Sequence, residues 1–209
     1  LRFNMKIRLL FLSIIFCSSL LNAQEFGGFK PSKIWLFQQR ENIKIIHSVE
    51  NKKLARKTLS VLSKINALDT NIGSKRRPIK IVFQNSTTQA NGYVGLAPFR
   101  SEFFLTPYPN SFIIGSLPWT YTLAIHEYQH VLQFSNTYYG FCRIAYWLGG
   151  EALWSAIVTA RFPNWFFEGD AVRAETEYSK QGRGRIPHFV NGYRAFAKTG
   201  KFPHYFKAR

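Results

Sequence analysis

The stretch that decides the fold runs from Tyr121 to Phe134 and reads YTLAIHEYQHVLQF. It contains His126, Glu127 and His130 in the order HExxH. Residues four apart on an α-helix lie on one face, so both imidazole rings point the same way. That spacing lets two histidine nitrogens bind one Zn²⁺ at about 2.0–2.1 Å. Glu127 then lies beside them, placed to take a proton from metal-activated water.

The rest of this stretch is apolar on nearly every side, which predicts a buried helix. The apolar residues are Leu123, Ala124, Ile125, Val131, Leu132 and Phe134. His126, Glu127, His130 and Gln133 form a polar stripe along the same helix. Buried polar groups need partners, and a metal centre satisfies several of them together. The alternative is an ordinary buried helix that happens to carry two histidines.

A third ligand is expected from the stretch PNWFFEGDAVRAETEY, residues 163–178. Asn164 after Pro163 is a suitable N-cap and predicts that a helix starts there. The chain has 11 acidic residues, and this stretch holds Glu168, Asp170, Glu175 and Glu177. Such clustering beside aromatic residues favours a cation site, with Glu168 as the ligand; the alternative is an ordinary acidic helix face. Gly169 disfavours a helix interior, so we expect it to pack closely against the HExxH helix.

The HExxH sequence followed by Trp165-Phe166-Phe167-Glu168-Gly169 resembles the gluzincin zinc metallopeptidases, the peptidase MA-like group. In particular it resembles exported bacterial members whose peptidase domain is followed by β-propeller-like repeats. The resemblance covers roughly residues 34–209 and implies a zincin-like fold that binds Zn²⁺ and cleaves a peptide or protein substrate. It implies His126, His130 and Glu168 as metal ligands and Glu127 as the general base. Glu175 matches an acidic position often found in the downstream helix of that group.

Two departures from that family bear on the far end of the chain. The gap from His130 to Glu168 is longer than in well-known members and contains an insertion over residues 149–160. Only 41 residues follow Glu168, and they contain no propeller repeats. We therefore expect a domain truncated at its C-terminal end, with a C-terminal propeller-like region absent. Tyr178, Tyr193 and Tyr205 are weak candidates to stabilise the oxyanion, and each is also explained as a packing residue.

Further residues are candidates for the substrate and for the metal ligands. An extended peptide can add a strand to a sheet edge, and Asn91, Gly92 and Tyr93 are the candidate edge. A plain turn at Asn91-Gly92 is the alternative. The candidates to orient the histidine ligands from behind are Asp170, Glu175 and Glu151.

The order of elements predicts an α+β protein. We expect an N-terminal mixed sheet with one helix, then a helical part that carries HExxH and the downstream glutamate helix. Apolar periodicity predicts an amphipathic helix over 51–68, and alternation predicts strands over 42–47, 79–83, 92–96 and 101–106. Residues 107–118 contain three prolines and predict a loop, and helical character follows from 119 to about 178.

The first residues have the order of a secretory signal peptide: basic Lys6 and Arg8 after Met5, an apolar run, and Ala23 before a polar stretch. We predict a signal peptide over 1–23 and a metallopeptidase domain over 24–209, with residues 1–4 as upstream sequence. The alternative is an uncleaved membrane anchor. The predicted location is exported: periplasmic, associated with the cell envelope, or secreted. Cys142 would then be the single cysteine, so no internal disulfide is expected.

The chain is strongly basic, with 28 Lys and Arg against 11 Asp and Glu and a net charge of +17. Removal of 1–23 takes away three basic residues and leaves 25 against 11, a net charge of +14. This charge favours an anionic partner, and export favours an envelope surface over nucleic acid, which is not expected. The alternative is a solvated basic face. The sequence around Arg183 and Arg185 predicts a flexible basic loop.

Three functions fit these patterns. The first is an exported zinc metallopeptidase with Glu127 as general base. The second is a non-catalytic zinc-binding or peptide-binding module of a larger envelope protein. The third is a basic envelope-binding protein whose HExxH is accidental. Hydrolysis that depends on Glu127 separates the first from the second, and metal content separates both from the third.

Overall fold

The computed structural model describes residues 29–30, 32–68, 72–202 and 204. The chain divides into a unit of residues 1–30, almost all outside the described part, and a unit of residues 31–209, described below. The predicted signal peptide over 1–23 and the candidate Tyr205 lie outside the described residues.

The elements of the larger unit confirm an α+β protein. The strands are β1 (Trp35–Arg40), β2 (Ile43–Ser48), β3 (Ile79–Gln84), β4 (Gly92–Leu96) and β5 (Phe99–Phe104). The helices are α1 (Lys52–Leu68), α2 (Ser111–Ile114), α3 (Trp119–Asn136), α4 (Gly140–Arg161), α5 (Asn164–Ser179) and α6 (Asn191–Thr199). Two 3₁₀ helices cover Val49–Asn51 and Arg183–Arg185.

The five strands form one mixed sheet in the order β1-β2-β3-β5-β4. Strands β2, β3 and β5 run parallel, with Ile45 opposite Ile81 and Phe83 opposite Phe103. Strands β1 and β4 lie at the two edges and run antiparallel to their neighbours. A short hairpin pairs β4 with β5, and β4 lies at an edge of the sheet.

The core lies between the central strands and the helices α1 and α3. Ile43, Ile81 and Phe103 are buried in it, because alternate residues of a strand face the same side of the sheet. Leu62 of α1 packs into the same core, and the lysines and arginines of α1 lie on its exposed face. The amphipathic pattern of α1 is therefore confirmed.

Helix α3 is buried from Thr122 to Ser135, as its apolar sequence predicts. Two contacts fix its position: Trp119 Nε1 donates to the carbonyl oxygen of Phe104 at 2.8 Å, and Tyr128 Oη donates to Asn66 Oδ1 at 2.7 Å. The HExxH residues are thus carried on the most enclosed helix of the described chain.

Several sequence predictions about element boundaries are wrong. The predicted loop over 107–118 contains the short helix α2, and α6 was not predicted. Asn164 is not an N-cap: Pro163 takes that position, and its carbonyl oxygen accepts from Phe166 N at 3.0 Å. Asn164 is therefore the first helical residue.

Among the described residues, no helix combines the length and the apolar character that crossing a membrane requires.

Candidate metal centre

His126 and His130 lie one turn apart on α3, with ring centroids 4.9 Å apart and ring planes nearly perpendicular at 89°. Both side chains are buried. The helix therefore brings their Nε2 atoms to one side, as the HExxH spacing predicts.

Glu168 of α5 completes a group of three donor residues with the two histidines. Its Oε2 lies 3.3 Å from His126 Nε2, and its Oε1 lies 3.6 Å from His130 Nε2. These two distances run to different oxygens of the carboxylate, and one donor atom from each of the three residues lies within 4.8 Å of the others, so the three side chains could hold one metal ion. The Glu168 side chain is 46% exposed, which leaves the group open on one side.

The far side of His126 is fixed by Glu175, a fully buried carboxylate on the same helix as Glu168. His126 Nδ1 donates to Glu175 Oε1 at 2.6 Å. That hydrogen bond holds a proton on Nδ1, so Nε2 is the nitrogen that can bind a metal once it is deprotonated.

Arg183 packs behind the same pair. Its Nε donates to Glu175 Oε2 at 3.0 Å and its Nη2 donates to Glu175 Oε1 at 2.5 Å. Nη2 also lies 2.8 Å from His126 Nδ1. The guanidinium lowers the energy of a carboxylate that would otherwise be buried without a fixed positive charge.

The segment that carries Arg183 is not the flexible loop predicted from the sequence. Residues Arg183–Arg185 form a 3₁₀ helix against α5. A Cβ atom on Gly182 would lie 2.5 Å from the main-chain carbon of Glu175 and 2.5 Å from the nitrogen of Thr176. Only glycine allows the two backbones to approach this closely.

His130 is fixed from behind by a relay of two side chains. Its Nδ1 lies 2.8 Å from Gln133 Oε1, so the ring donates to the amide oxygen. Gln133 Nε2 donates to Asp170 Oδ2 at 2.8 Å and to the Phe167 carbonyl oxygen at 3.0 Å, which sets the orientation of the amide. Asp170 therefore acts on His130 through Gln133, and both histidines present Nε2 to the same point.

Glu127 lies beside the three donors and is not one of them. Burial raises the pKa of its carboxyl to about 7, while the positive charge of His126 acts in the opposite direction. A carboxyl with a pKa near 7 can accept and return a proton at neutral pH.

The two histidines differ in their affinity for protons. Burial and the neighbouring positive charge of His126 lower the pKa of His130 to about 4. Burial also acts to lower the pKa of His126, but hydrogen bonds to Glu168 and Glu175 raise it to about 9. In the metal-free protein His126 therefore carries a positive charge between the carboxylates of Glu168 and Glu175. A divalent cation must displace a proton from His126 to bind.

A cleft of about 440 Å³ opens over these residues. Its lining includes His126, Glu127, His130, Glu168 and Arg183 from the centre, and Asn91, Gly92, Tyr93 and Val94 from β4. The walls carry the apolar or aromatic side chains of Tyr108, Ile113, Trp119, Phe134 and Phe167. The candidate edge residues of the sequence analysis are thus placed at the candidate metal centre, and Gly92 lies in a strand rather than in a plain turn.

Other sequence candidates lie elsewhere. Glu151 accepts from Phe99 N at 2.9 Å and pairs with Arg77 at 3.4 Å, and no described contact joins it to the histidines. Tyr178 packs against the main core, and Tyr193 is 66% exposed on α6. The close packing expected at Gly169 is wrong, because a Cβ atom there would meet nothing within 4 Å.

Sequence reasoning missed two residues that position the ligands. Gln133 stands three residues after His130, a spacing that places the two side chains together on a helix. Arg183 had no such signal, since its position depends on a turn that folds back over α5.

Comparisons with protein-family models, with curated proteins and with solved structures returned no match.

Proposed function

We propose that this chain is an exported zinc-dependent metallopeptidase with a zincin-like arrangement of its sheet and helices. One observation carries the proposal. Donor atoms of His126, His130 and Glu168 converge at a spacing that fits one ion, while a fourth residue, Glu127, is buried beside them and left out of the donor group. A purely structural zinc site has four protein ligands and no need of such a base.

The donor set of two imidazoles and one carboxylate is typical of catalytic zinc. When bound, Zn²⁺ supplies a Lewis acid that polarises a carbonyl and lowers the pKa of a water to about 7. His126, held by Glu175, and His130, held by Gln133, keep their Nε2 atoms directed at this position. Both rings are therefore oriented before any ion arrives.

Glu127 performs the proton transfers in this proposal. It takes a proton from the attacking water and delivers it to the nitrogen of the leaving amine. In the metal-free protein, burial raises the pKa of its carboxyl to about 7, which favours proton acceptance near neutral pH. No other described carboxylate of the cleft is free for this role, because Glu168 faces the histidines and Glu175 is bonded to Arg183.

Strand β4 supports peptide binding. Phe104 N donates to the Asn91 carbonyl oxygen at 3.0 Å, so the neighbouring Gly92–Phe103 pair exchanges no main-chain hydrogen bonds. The main-chain groups of Gly92 and Val94 are then directed to the outer side of this edge strand. An extended peptide can pair with those groups by strand addition. Gly92 also approaches Glu127, so a bound peptide would run past the base.

The test combines metal content with hydrolysis. The wild-type chain is expected to hold about one zinc, by elemental analysis that also measures iron, and to cleave fluorescein-labelled casein. His126→Ala should lose the metal. Glu127→Gln should keep it and lose at least about a hundredfold in hydrolysis, the range of general-base catalysis. Glu50→Gln is the control, because Glu50 lies in the 3₁₀ helix after β2, bonds to Asn85 and does not line the cleft.

Three results would overturn parts of this proposal. A folded wild-type chain without metal, or with iron in place of zinc, excludes the zinc enzyme. Bound zinc without hydrolysis in the wild type supports the non-catalytic module instead. Hydrolysis that survives Glu127→Gln removes Glu127 as the base.

A further inference from the structure

The first half of α4, residues 140–148, turns its large apolar side chains toward solvent. Phe141 is 66% exposed, Trp147 75% and Leu148 78%. The side that packs on the protein carries the small residues Cys142 and Ala145, which are buried. This is the reverse of an ordinary surface helix, which buries its large apolar residues. We name the exposed set the α4 patch; it consists of Tyr139, Phe141, Ile144, Trp147 and Leu148.

Cations lie directly beside the aromatic rings of the α4 patch. The Arg143 guanidinium carbon is 5.6 Å from the ring centroid of Trp147. Lys75 Nζ is 5.9 Å from the ring centroid of Tyr139 and donates to the Tyr138 carbonyl oxygen at 3.0 Å. Aromatic rings next to long basic side chains are the combination found on helices that lie in a membrane interface.

The exposed side of α4 carries no carboxylate. Glu151 is the only acidic residue of this helix, and it is turned toward Arg77 and the main-chain nitrogen of Phe99. Tyr139, at one end of the α4 patch, borders a cavity lined by Asp170, Arg173 and Glu177. The charges that Arg143 and Lys75 place beside the α4 patch are positive. This complements an anionic surface and disfavours a basic partner.

The helix bends immediately after the patch. Gly149 and Gly150 have non-helical conformations, and Gly150 has φ 61°. Beyond this bend Trp154 and Val158 are buried, so the second half of α4 is anchored in the protein. The first half is left as a short segment whose apolar side faces outward.

We propose that the α4 patch docks on a bilayer surface that contains anionic lipids. Phe141, Trp147 and Leu148 enter the headgroup region, where their burial drives binding. Arg143 and Lys75 pair with lipid phosphates and make binding dependent on anionic lipid and on salt. The docking does not depend on the proposed hydrolysis, because none of these residues lines the cleft over the metal centre.

The test is vesicle flotation with the full chain. Wild-type protein is expected to float with vesicles of phosphatidylglycerol and phosphatidylcholine, and much less with phosphatidylcholine alone. The double variant W147S/L148S should bind at least about tenfold more weakly, because each large apolar side chain contributes about that factor when buried. The variant Arg143→Glu should weaken binding to the anionic vesicles alone.

Two controls separate the α4 patch from the rest of the chain. The double variant F112S/Y193S changes apolar residues that are 85% and 66% exposed on α2 and α6, and should float like the wild type. Trp147→Phe keeps an aromatic residue at this position but removes its tryptophan fluorescence. It therefore tests whether Trp147 itself enters the bilayer. Vesicles should shift the wild-type tryptophan emission to shorter wavelength, and this shift should be smaller in Trp147→Phe while flotation persists.

Equal flotation of wild type and W147S/L148S, with both folded by thermal melting, would overturn the proposal. So would a wild-type emission shift that Trp147→Phe does not reduce. If W147S/L148S instead converts a dimer into a monomer by light scattering and leaves flotation unchanged, the α4 patch is a contact between copies of this chain and the lipid proposal is wrong.

Discussion

Strand β4 passes so close to α3 that a Cβ atom on Gly92 would lie 3.0 Å from both Cγ and Oε1 of Glu127. The same atom would lie 2.7 Å from Leu123 Cδ2. The absence of a side chain at Gly92 thus sets the distance between the proposed base and the strand proposed to bind the peptide.

Gly92→Ala should therefore lower the rate of hydrolysis while the protein still folds. The added methyl must displace Glu127 or the tip of Leu123, and misplacing a catalytic group by about 1 Å can cost about a hundredfold. We expect a fall of about 10- to 100-fold in kcat/KM, with the zinc content unchanged. The matched control is Gly169→Ala, which adds the same methyl next to Glu168 where a Cβ meets nothing within 4 Å. Unchanged hydrolysis in Gly92→Ala would contradict the contact.

Gly169→Ala should make the protein more stable. Gly169 lies inside α5 in open space, and alanine stabilises a helix interior by about 0.5–1 kcal/mol relative to glycine. For a domain of this size the expected rise in Tm is about 1–4 °C. Thermal unfolding followed by circular dichroism measures it. A fall in Tm would mean that Gly169 is packed more closely by its neighbours than the structure shows.

Glu175→Gln should weaken metal binding without removing a ligand. The 2.6 Å hydrogen bond from His126 Nδ1 would then go to a neutral amide oxygen. Loss of such an orienting carboxylate typically costs about 10–100-fold in metal affinity. Competition with a chromogenic chelator measures the affinity, and Glu50→Gln, which lies outside the cleft, serves as the control. Equal affinities in the two variants would show that Glu175 does not orient His126.

Arg183→Met should destabilise the metal-free protein. It leaves the buried Glu175 carboxylate with protonated His126 as its remaining partner, so we expect only part of the about 3–5 kcal/mol that breaking a buried ion pair costs. Urea unfolding measures the loss. The double variant R183M/E175Q removes the charge as well and should recover part of the stability. If the single and double variants unfold alike, the pair contributes no coupling energy.

Helices α1, α3 and α5 and the central strands were predictable because their patterns are local. The burial of α3 follows from apolar residues on every side, and its His126 and His130 follow from a spacing of four. Glu168 was predictable as the acid that stands among Trp165, Phe166 and Phe167 in a basic chain. Each of these signals lies within one element.

The errors at the candidate site concern contacts between elements. Glu151 was a candidate to orient the histidines because acidic residues are few in this chain. It lies after the bend at Gly149 and Gly150, and its carboxylate pairs with Arg77 instead. Arg183 looked like part of a solvated loop, and only the close approach of Gly182 to α5 brings it to Glu175. Spacing along the chain contains no information about such long-range pairs.

The donor residues come from only two helices, α3 and α5, and Glu168 is the one ligand that α5 supplies. An ion held there acts as a removable cross-link between these helices. With a chelator present, hydrogen exchange should therefore rise at the amides of α5 and of the 3₁₀ helix that packs on it. The amides of β2 and β3, far from the ligands in the sheet, should exchange as before. Metal supply would then govern how long the helical layer survives proteolysis, independently of any substrate.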